Sequence, residues 1–312
     1  KKDKNIAGIY LDLSNVQAGI STIDEIRDAL IDFKSSGKFI WAYSELYTQK
    51  TYYLATAADK IFLNPQGGVE FKGLASELVF IKGMLDKLDV KMQIIRHGKF
   101  KAATEPLFLD KMSPENRRQM TELIGDVWDR MLDGISETRG IGKTELNLIA
   151  DSLKLETAGD ALKYKFVDQL VYKDELISLM KKKLNIDEKK AVQYVSLDSY
   201  TNVADKDKPA PVGDKIAIIY ASGSISGGEG DEQSIGSERI SKAIRKARED
   251  EKVKAIVFRI NSGGGSALAS DVIWREIDLA RKVKPVVASF GDVAASGGYY
   301  IASGCKPIIA NK

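Results

Sequence analysis

The chain has 312 residues, 44% hydrophobic and 29% charged, with a net charge of +3. That composition supports a sizeable core and excludes wholesale disorder, and 47 basic against 44 acidic residues are too evenly matched to make nucleic acid the main partner. One cysteine, Cys305, and one histidine, His97, exclude a disulfide framework, a Cys-based zinc site and a His-rich metal centre. No metal or organic cofactor is indicated.

In chain order, residues 6–13 read as a buried strand, with β-rich character over 9–13. A small-residue turn and a helical pattern follow, then a second strand over 39–43 and a short helix. Met92–Ile95 reads as a further strand. Pro114–Gly140 predicts a long helix, with Ser113 as N-cap, Pro114 in the first helical position and Gly140 past the end. Ala150–Leu170 predicts two short helical turns and Lys173–Leu184 an amphipathic helix. Thr201–Gly213 is polar and carries Pro209 and Pro211, which suits a linker. Lys215–Tyr220 reads as a strand, and Ser237 is placed to cap a helix with Ile240, Ala243, Ile244 and Ala247 on one face. Strand 255–260, a helix presenting Val272, Ile273, Ile277 and Ala280, strand 286–290 and a short helix complete the chain. Strands alternating with helices predict parallel βαβ units. No apolar run approaches the ~18 residues of a membrane span.

The chain also repeats itself at a constant offset of 247 without a gap. Residues 9–15 align with 256–262, Asp24 and Ile26 with Asp271 and Ile273, and 52–55 with 299–302. This reads as duplication of one structural unit. The expected domains are an N-terminal repeat over 1–205, a linker at 206–213 and a C-terminal repeat over 214–312. The leader strand and helix of the second copy have no counterpart before Lys1, and the second copy stops at the partner of Pro65. The sequence is therefore expected to be a fragment of a longer chain, lacking a leader and a C-terminal part.

Two glycine-rich turns carry the strongest chemical signal. Residues 261–266 (Asn-Ser-Gly-Gly-Gly-Ser) follow one strand, and residues 294–298 (Ala-Ala-Ser-Gly-Gly) follow the next and precede a helix. Facing turns of this kind present unpaired backbone N–H groups to a developing oxyanion. Ser296, at a helix start, is the nucleophile candidate. Glycine turns also serve close packing alone, and Ser-Gly-Gly can be a plain cap, so local residues leave both readings open. Gly263–Gly265 lack the Gly-Lys-Ser/Thr ending of a phosphate loop.

Residues 261–266 with 292–300, together with 98–106 and 110–114, resemble the long, two-repeat form of the signal peptide peptidase A (protease IV) family, serine peptidase family S49. The resemblance spans nearly the whole chain. It implies an α/β fold of ClpP/crotonase type, built from repeated ββα units in two tandem copies. It implies a serine endopeptidase with a Ser/Lys dyad: Ser296 as nucleophile, Lys101 as general base, and the backbone N–H groups of Gly264 and Gly297 as oxyanion donors. Gly263 stands where the family more often has proline. Lys99 competes with Lys101 for the base, and motif position favours Lys101. His97 reads as structural or exposed. The implied substrates are apolar remnant signal peptides at the bacterial inner membrane, on its periplasmic or extracytoplasmic face. Membrane association would run through a segment outside this chain. A homo-oligomeric ring, such as a tetramer, is expected. A lysine must be neutral to accept a proton, and burial among apolar groups favours that form. Gln49 stands at the repeat position of Ser296, and Val16-Gln17 at that of Gly263-Gly264. The first copy thus has the base but no nucleophile. The competing readings are a crotonase-like acyl-CoA enzyme and a non-catalytic assembly scaffold of the same fold.

Overall fold

A computed structural model describes residues 1–201 and 213–311. The linker expected at 206–213 lies, Gly213 apart, outside the described residues. The chain is α/β, with parallel sheets in two compact units: 1–16 with 26–190, and 17–25 with 191–312.

In the first unit, β1 (Gly8–Asp12), β2 (Phe39–Tyr47), β3 (Lys60–Val69) and β4 (Gln169–Leu170) form one parallel sheet in that order. The helices are α1 (Ile20–Lys34, whose first residues group with the second unit), α2 (Gln49–Ala55), α3 (Lys82–Lys87), α4 (Glu105–Phe108), α5 (Pro114–Arg139), α6 (Lys143–Asp151), α7 (Ala158–Lys163) and α8 (Lys173–Leu184). β2 is rich in aromatic residues, and Ile40–Ser44 are buried without alternation. That is the pattern of a strand covered on both faces. Trp41 packs on Phe62 with ring centroids 5.0 Å apart, and Phe166 stacks on Tyr52 at the same distance.

Helix α5 follows its local signals. The Ser113 hydroxyl accepts the Asn116 N–H at 3.1 Å, Pro114 is the first helical residue, and Gly140 closes the helix at φ 67°. A Cβ on Gly140 would meet nothing within 4 Å, so the left-handed backbone alone favours glycine. Gly140→Ala is expected to lower stability by about 1 kcal/mol with activity unchanged, read by urea unfolding.

Beyond residues 17–25, the second unit contains α9 (Leu197–Thr201), β5 (Lys215–Ser222), β6 (Ser224–Ser226), β7 (Ser234–Gly236), α10 (Ser237–Glu249), β8 (Val253–Ser262), α11 (Ala267–Arg281), β9 (Val286–Ala294), α12 (Gly297–Ala302) and β10 (Ile308–Ile309). Its main sheet is parallel, ordered β10-β9-β8-β5, and β6 pairs with β7. Ile256, Phe258 and Ile260 alternate into one core with Ile273, Ile277 and Ala280 of α11 and Ile240, Ile244 and Ala247 of α10. Each of the isoleucine and phenylalanine side chains among them stabilises by about 1.5–3 kcal/mol on full burial.

The element bounds keep the repeat. Helices α1 and α11 begin and end 247 residues apart, and so do β2 and β9. The surroundings differ. Tyr52 and Tyr53 are 0% and 1% exposed, whereas Tyr299 and Tyr300 at the matching positions are 55% and 39% exposed.

Two local expectations change. Residues 92–95 form no strand, and Met92 and Ile95 are exposed. An apolar run becomes a strand only where a neighbour takes its backbone N–H and C=O groups, and none does so among the described residues. Ser237 is the first residue of α10 and Gly236 its cap. The Gly228 carbonyl accepts the Glu238 N–H at 2.9 Å, which replaces the hydroxyl cap expected of Ser237.

Candidate active site

The nucleophile turn is set by the short gap between β9 and α12. Only Ala295 and Ser296 separate them, so the chain reverses direction within two residues. Ser296 does this at φ 51°, ψ −120°, a conformation that L residues rarely adopt and that costs about 1–3 kcal/mol. Its side chain makes no capping hydrogen bond to α12, and it is exposed. Among the described residues no side chain hydrogen-bonds the Ser296 hydroxyl.

The second glycine turn lies against the first. A Cβ on Gly264 would stand 2.6 Å from the Gly297 nitrogen and 2.8 Å from the Ser296 Cβ, and Gly264 has φ 102°. Strand β6 holds this turn in place: the Ile225 N–H donates to the Gly264 carbonyl at 3.0 Å, and the Ser266 N–H donates to the Ile225 carbonyl at 2.9 Å. Gly264→Ala is expected to be strained twice, by its φ and by collision with backbone. It should lower peptide hydrolysis at least about a hundredfold and stability by about 1–3 kcal/mol, checked by kinetics and urea unfolding together.

Asn261 and Ser262 brace the two turns. The Asn261 Oδ1 accepts the Val293 N–H and the Ser262 carbonyl accepts the Ala295 N–H, each at 3.0 Å. The buried Ser262 hydroxyl donates to the Gly223 carbonyl at 2.7 Å and accepts the Gly264 N–H at 3.0 Å. Sequence reasoning missed both roles, although the pair stands directly before the glycines. The bond to Ser262 also engages Gly264, one of the two expected oxyanion donors. Among the described residues neither the Gly297 N–H nor that of the exposed Gly265 has an acceptor. Among the described residues the exposed Gly263 N–H is unengaged as well.

Asp292 anchors the same turn. Its carboxylate accepts the N–H groups of Gly19 and Thr22 at 3.1 and 2.8 Å and the Thr22 hydroxyl at 2.7 Å. Burial pushes its pKa up, but these bonds and the Arg259 charge outweigh burial and hold it below the usual carboxylate range. Arg259 donates to Ser289 Oγ at 2.9 Å and Glu25 Oε1 at 2.7 Å. Asp292 is thus engaged as an acceptor of structural bonds. The other sulfur or oxygen nucleophile to consider, Cys305, is buried, which pushes its thiol up to about 12.

Lys101 belongs to the first unit. It ends an irregular segment just before the 3-10 turn Ala102–Thr104, and its side chain is exposed. The Arg96 Nη1 donates to the Lys101 carbonyl at 3.3 Å. Lys99 pairs with Glu115 at 3.8 Å, and His97 is exposed. A cavity of about 460 Å³ opens beside Lys101, lined among others by Ile95, His97, Phe100 and Gln119. Gln49, at the repeat position of Ser296, uses its side-chain amide on the backbone: Oε1 accepts from Lys72 and Gly73 at 2.9 and 3.1 Å, and Nε2 donates to the Gly73 carbonyl at 3.0 Å. Among the described residues no three His, Cys, Asp or Glu side chains come together to hold a metal ion, and no helix is long and apolar enough to cross a membrane.

The model of peptidase family S49 matches residues 32–187 and 278–312, more than half of the chain. The chain belongs to peptidase family S49. Two curated relatives are similar along its whole length. Protease 4 of Salmonella typhi is 39% identical over 100% of this chain and 51% of its own length. The chloroplastic serine protease SPPA of Arabidopsis thaliana is 36% identical over 99% of this chain and 46% of its own. The chain spans about half the length of these curated relatives. Among solved structures, a peptidase from Plasmodium falciparum aligns over 54% of this chain and 82% of its own at 11% identity and a TM-score of 0.30, too slight a likeness to bear on function. The S49 match covers Lys101 and Ser296 alike.

Proposed function

We propose that this S49 chain supplies the working parts of a serine endopeptidase with a Ser/Lys dyad, Ser296 as nucleophile and Lys101 as base. The observation that carries this reading is the Ser296 hydroxyl, exposed and without a capping bond on a left-handed turn, directly before the unengaged N–H of Gly297 and with Gly264 packed against the turn. In acylation the Ser296 Oγ bonds to the scissile carbonyl carbon and its proton passes to Lys101 Nζ. The oxyanion takes hydrogen bonds from the backbone N–H groups of Gly297 and Gly264, the latter released from the Ser262 hydroxyl that it engages in the free chain. Collapse breaks the C–N bond, and the leaving amine takes the proton from Lys101. Water then adds to the acyl-serine with Lys101 again as base, which releases the acid and restores Ser296.

The exposed Lys101 needs apolar cover to serve as a base. A homo-oligomeric ring, such as a tetramer, and an apolar substrate would supply it. The substrates proposed are remnant signal peptides, extended and apolar, at the extracytoplasmic face of the bacterial inner membrane. The two units are proposed to descend from one by duplication, the first keeping the base and the second the nucleophile. The test is fluorophosphonate labelling of the full-length oligomer, with the adduct mapped by mass spectrometry. An adduct on Ser296 together with cleavage of apolar peptides is expected; an adduct elsewhere refutes the assignment.

A further inference from the structure

We infer that Asp292, seated on the first turn of α1, is a positioning residue for the reaction: it pins a bulge of β9 that aims Ser296 at the scissile carbonyl. This rests on reading Ser296 as the nucleophile.

The bulge comes from the register of the sheet. Ile260 of β8 pairs with Phe290 of β9 and Ser262 with Ala294, so Asn261 alone stands opposite residues 291–293. The matching strands β1 and β2 pair without a shift, from Gly8 with Phe39 to Asp12 with Tyr43. Extra residues in one strand lose their ladder partners and bend it, and such bulges re-aim the side chains beside them. A bulge keeps one shape only where other groups take its bonds. Asn261 takes the Val293 N–H at 3.0 Å, and a Cβ on Gly291 would come within 3.0 Å of the Asn261 side chain. The middle residue of the bulge, Asp292, is held by α1 instead.

That contact departs from the repeat. Residues 17–25 group with the second unit, so it lies within one compact body. Gly19 stands at the repeat position of Ser266, and Thr22 at that of Ala269. Ser266 caps α11 itself, its hydroxyl accepting the Ala269 N–H at 3.3 Å. Gly19 has no side chain to do the same for α1. The Asp292 carboxylate takes that place: a Cβ on Gly19 would come within 2.2 Å of its Cγ. It accepts the Thr22 N–H at 2.8 Å, the equivalent of the Ala269 bond, and adds the Gly19 N–H at 3.1 Å and the Thr22 hydroxyl at 2.7 Å. The helix dipole favours an anion there as well. Glu45, at the repeat position of Asp292, is exposed. A cap that served α1 alone would be met by a serine at position 19, as in α11. Taking it from β9 gives the end of that strand a fixed point on a second element. Three residues separate Asp292 from Ser296, and the N–H groups of two of them, Val293 and Ala295, are bonded to β8. The approach to the nucleophile is thereby fixed from β8 and from α1.

The experiment is steady-state kinetics of the full-length enzyme on an apolar peptide, with kcat expressed per site titrated by a fluorophosphonate. Asp292→Ala is expected to lower kcat per site about ten- to a hundredfold and to slow labelling of Ser296 by a similar factor, with KM within about twofold. Asp292→Asn keeps one acceptor oxygen and should recover most of the loss. Thr22→Val removes a single hydroxyl from α1 and should lower kcat about three- to tenfold. The double variant Thr22→Val with Asp292→Ala should be no slower than Asp292→Ala, because both changes remove one contact. A purely structural cap would lower the thermal midpoint and the number of titrated sites and leave kcat per site and KM as in wild type; Gly140→Ala is the control of that kind. If Asp292→Ala does not accumulate folded, Thr22→Val decides alone. A kcat per site within about 1.5-fold of wild type in the deciding variant, a loss carried by KM, or losses that multiply in the double variant overturn this inference only, in an enzyme that still requires Ser296. Activity that survives loss of Ser296 overturns the nucleophile reading and the inference with it.

Discussion

Ser296→Ala is expected to abolish fluorophosphonate labelling and to lower peptide hydrolysis at least about a thousandfold, with the thermal midpoint within about 2 °C of wild type. The rate loss follows from chemistry: without the oxygen no acyl-enzyme forms, and only the oxyanion donors and binding energy remain. The unchanged stability follows from structure. The hydroxyl makes no capping bond and no other hydrogen bond among the described residues, so its removal leaves nothing buried unpaired. Alanine adopts φ 51° no more easily than serine, so the backbone strain is the same in both proteins. A plain helix cap predicts the reverse result: stability would drop by about 1 kcal/mol and labelling would persist.

Lys101→Met removes the amine and keeps the length of the side chain. Peptide hydrolysis should fall about a hundred- to ten-thousandfold, the range of a lost general base, with folding unaffected because the side chain is exposed. Lys99→Met is the control that separates the two lysines. Lys99 is exposed and pairs with Glu115 on α5 at 3.8 Å, and its loss should change the rate less than threefold. A thousandfold loss in Lys99→Met with a mild effect in Lys101→Met would exchange their roles. A small primary amine added to the Lys101→Ala oligomer should recover part of the rate if the missing group is a base, whereas a collapsed loop gains nothing from it.

How far the site was legible in advance depends on the range of each signal. Ser113, Pro114 and Gly140 bound α5 as read, because caps act within one helical turn. The placement of Ser296 after a strand and before a helix was equally readable. The engagement of Gly264 was not. Three consecutive glycines look alike in sequence, and the bond on the Gly264 N–H depends on Ser262 turning its hydroxyl onto it and on Ile225, some 40 residues earlier in the chain, pairing with the turn. The failed strand at 92–95 has the same cause: apolar character is local, but the partner strand is not.

By itself the sequence determined the α/β alternation with parallel strands, the repeat at an offset of 247 and the two glycine turns that follow neighbouring strands. These rest on periodicity, self-similarity and residue type, which involve positions close in the chain or compared in register. Only the tertiary structure decided that Ser296 lies in the left-handed region, that Asn261 and Ser262 tie the turns together, and that Glu105 is buried beneath the base segment. Those features are made by hydrogen bonds between separate elements, and such bonds acquire direction and partners only when packing excludes water from around them.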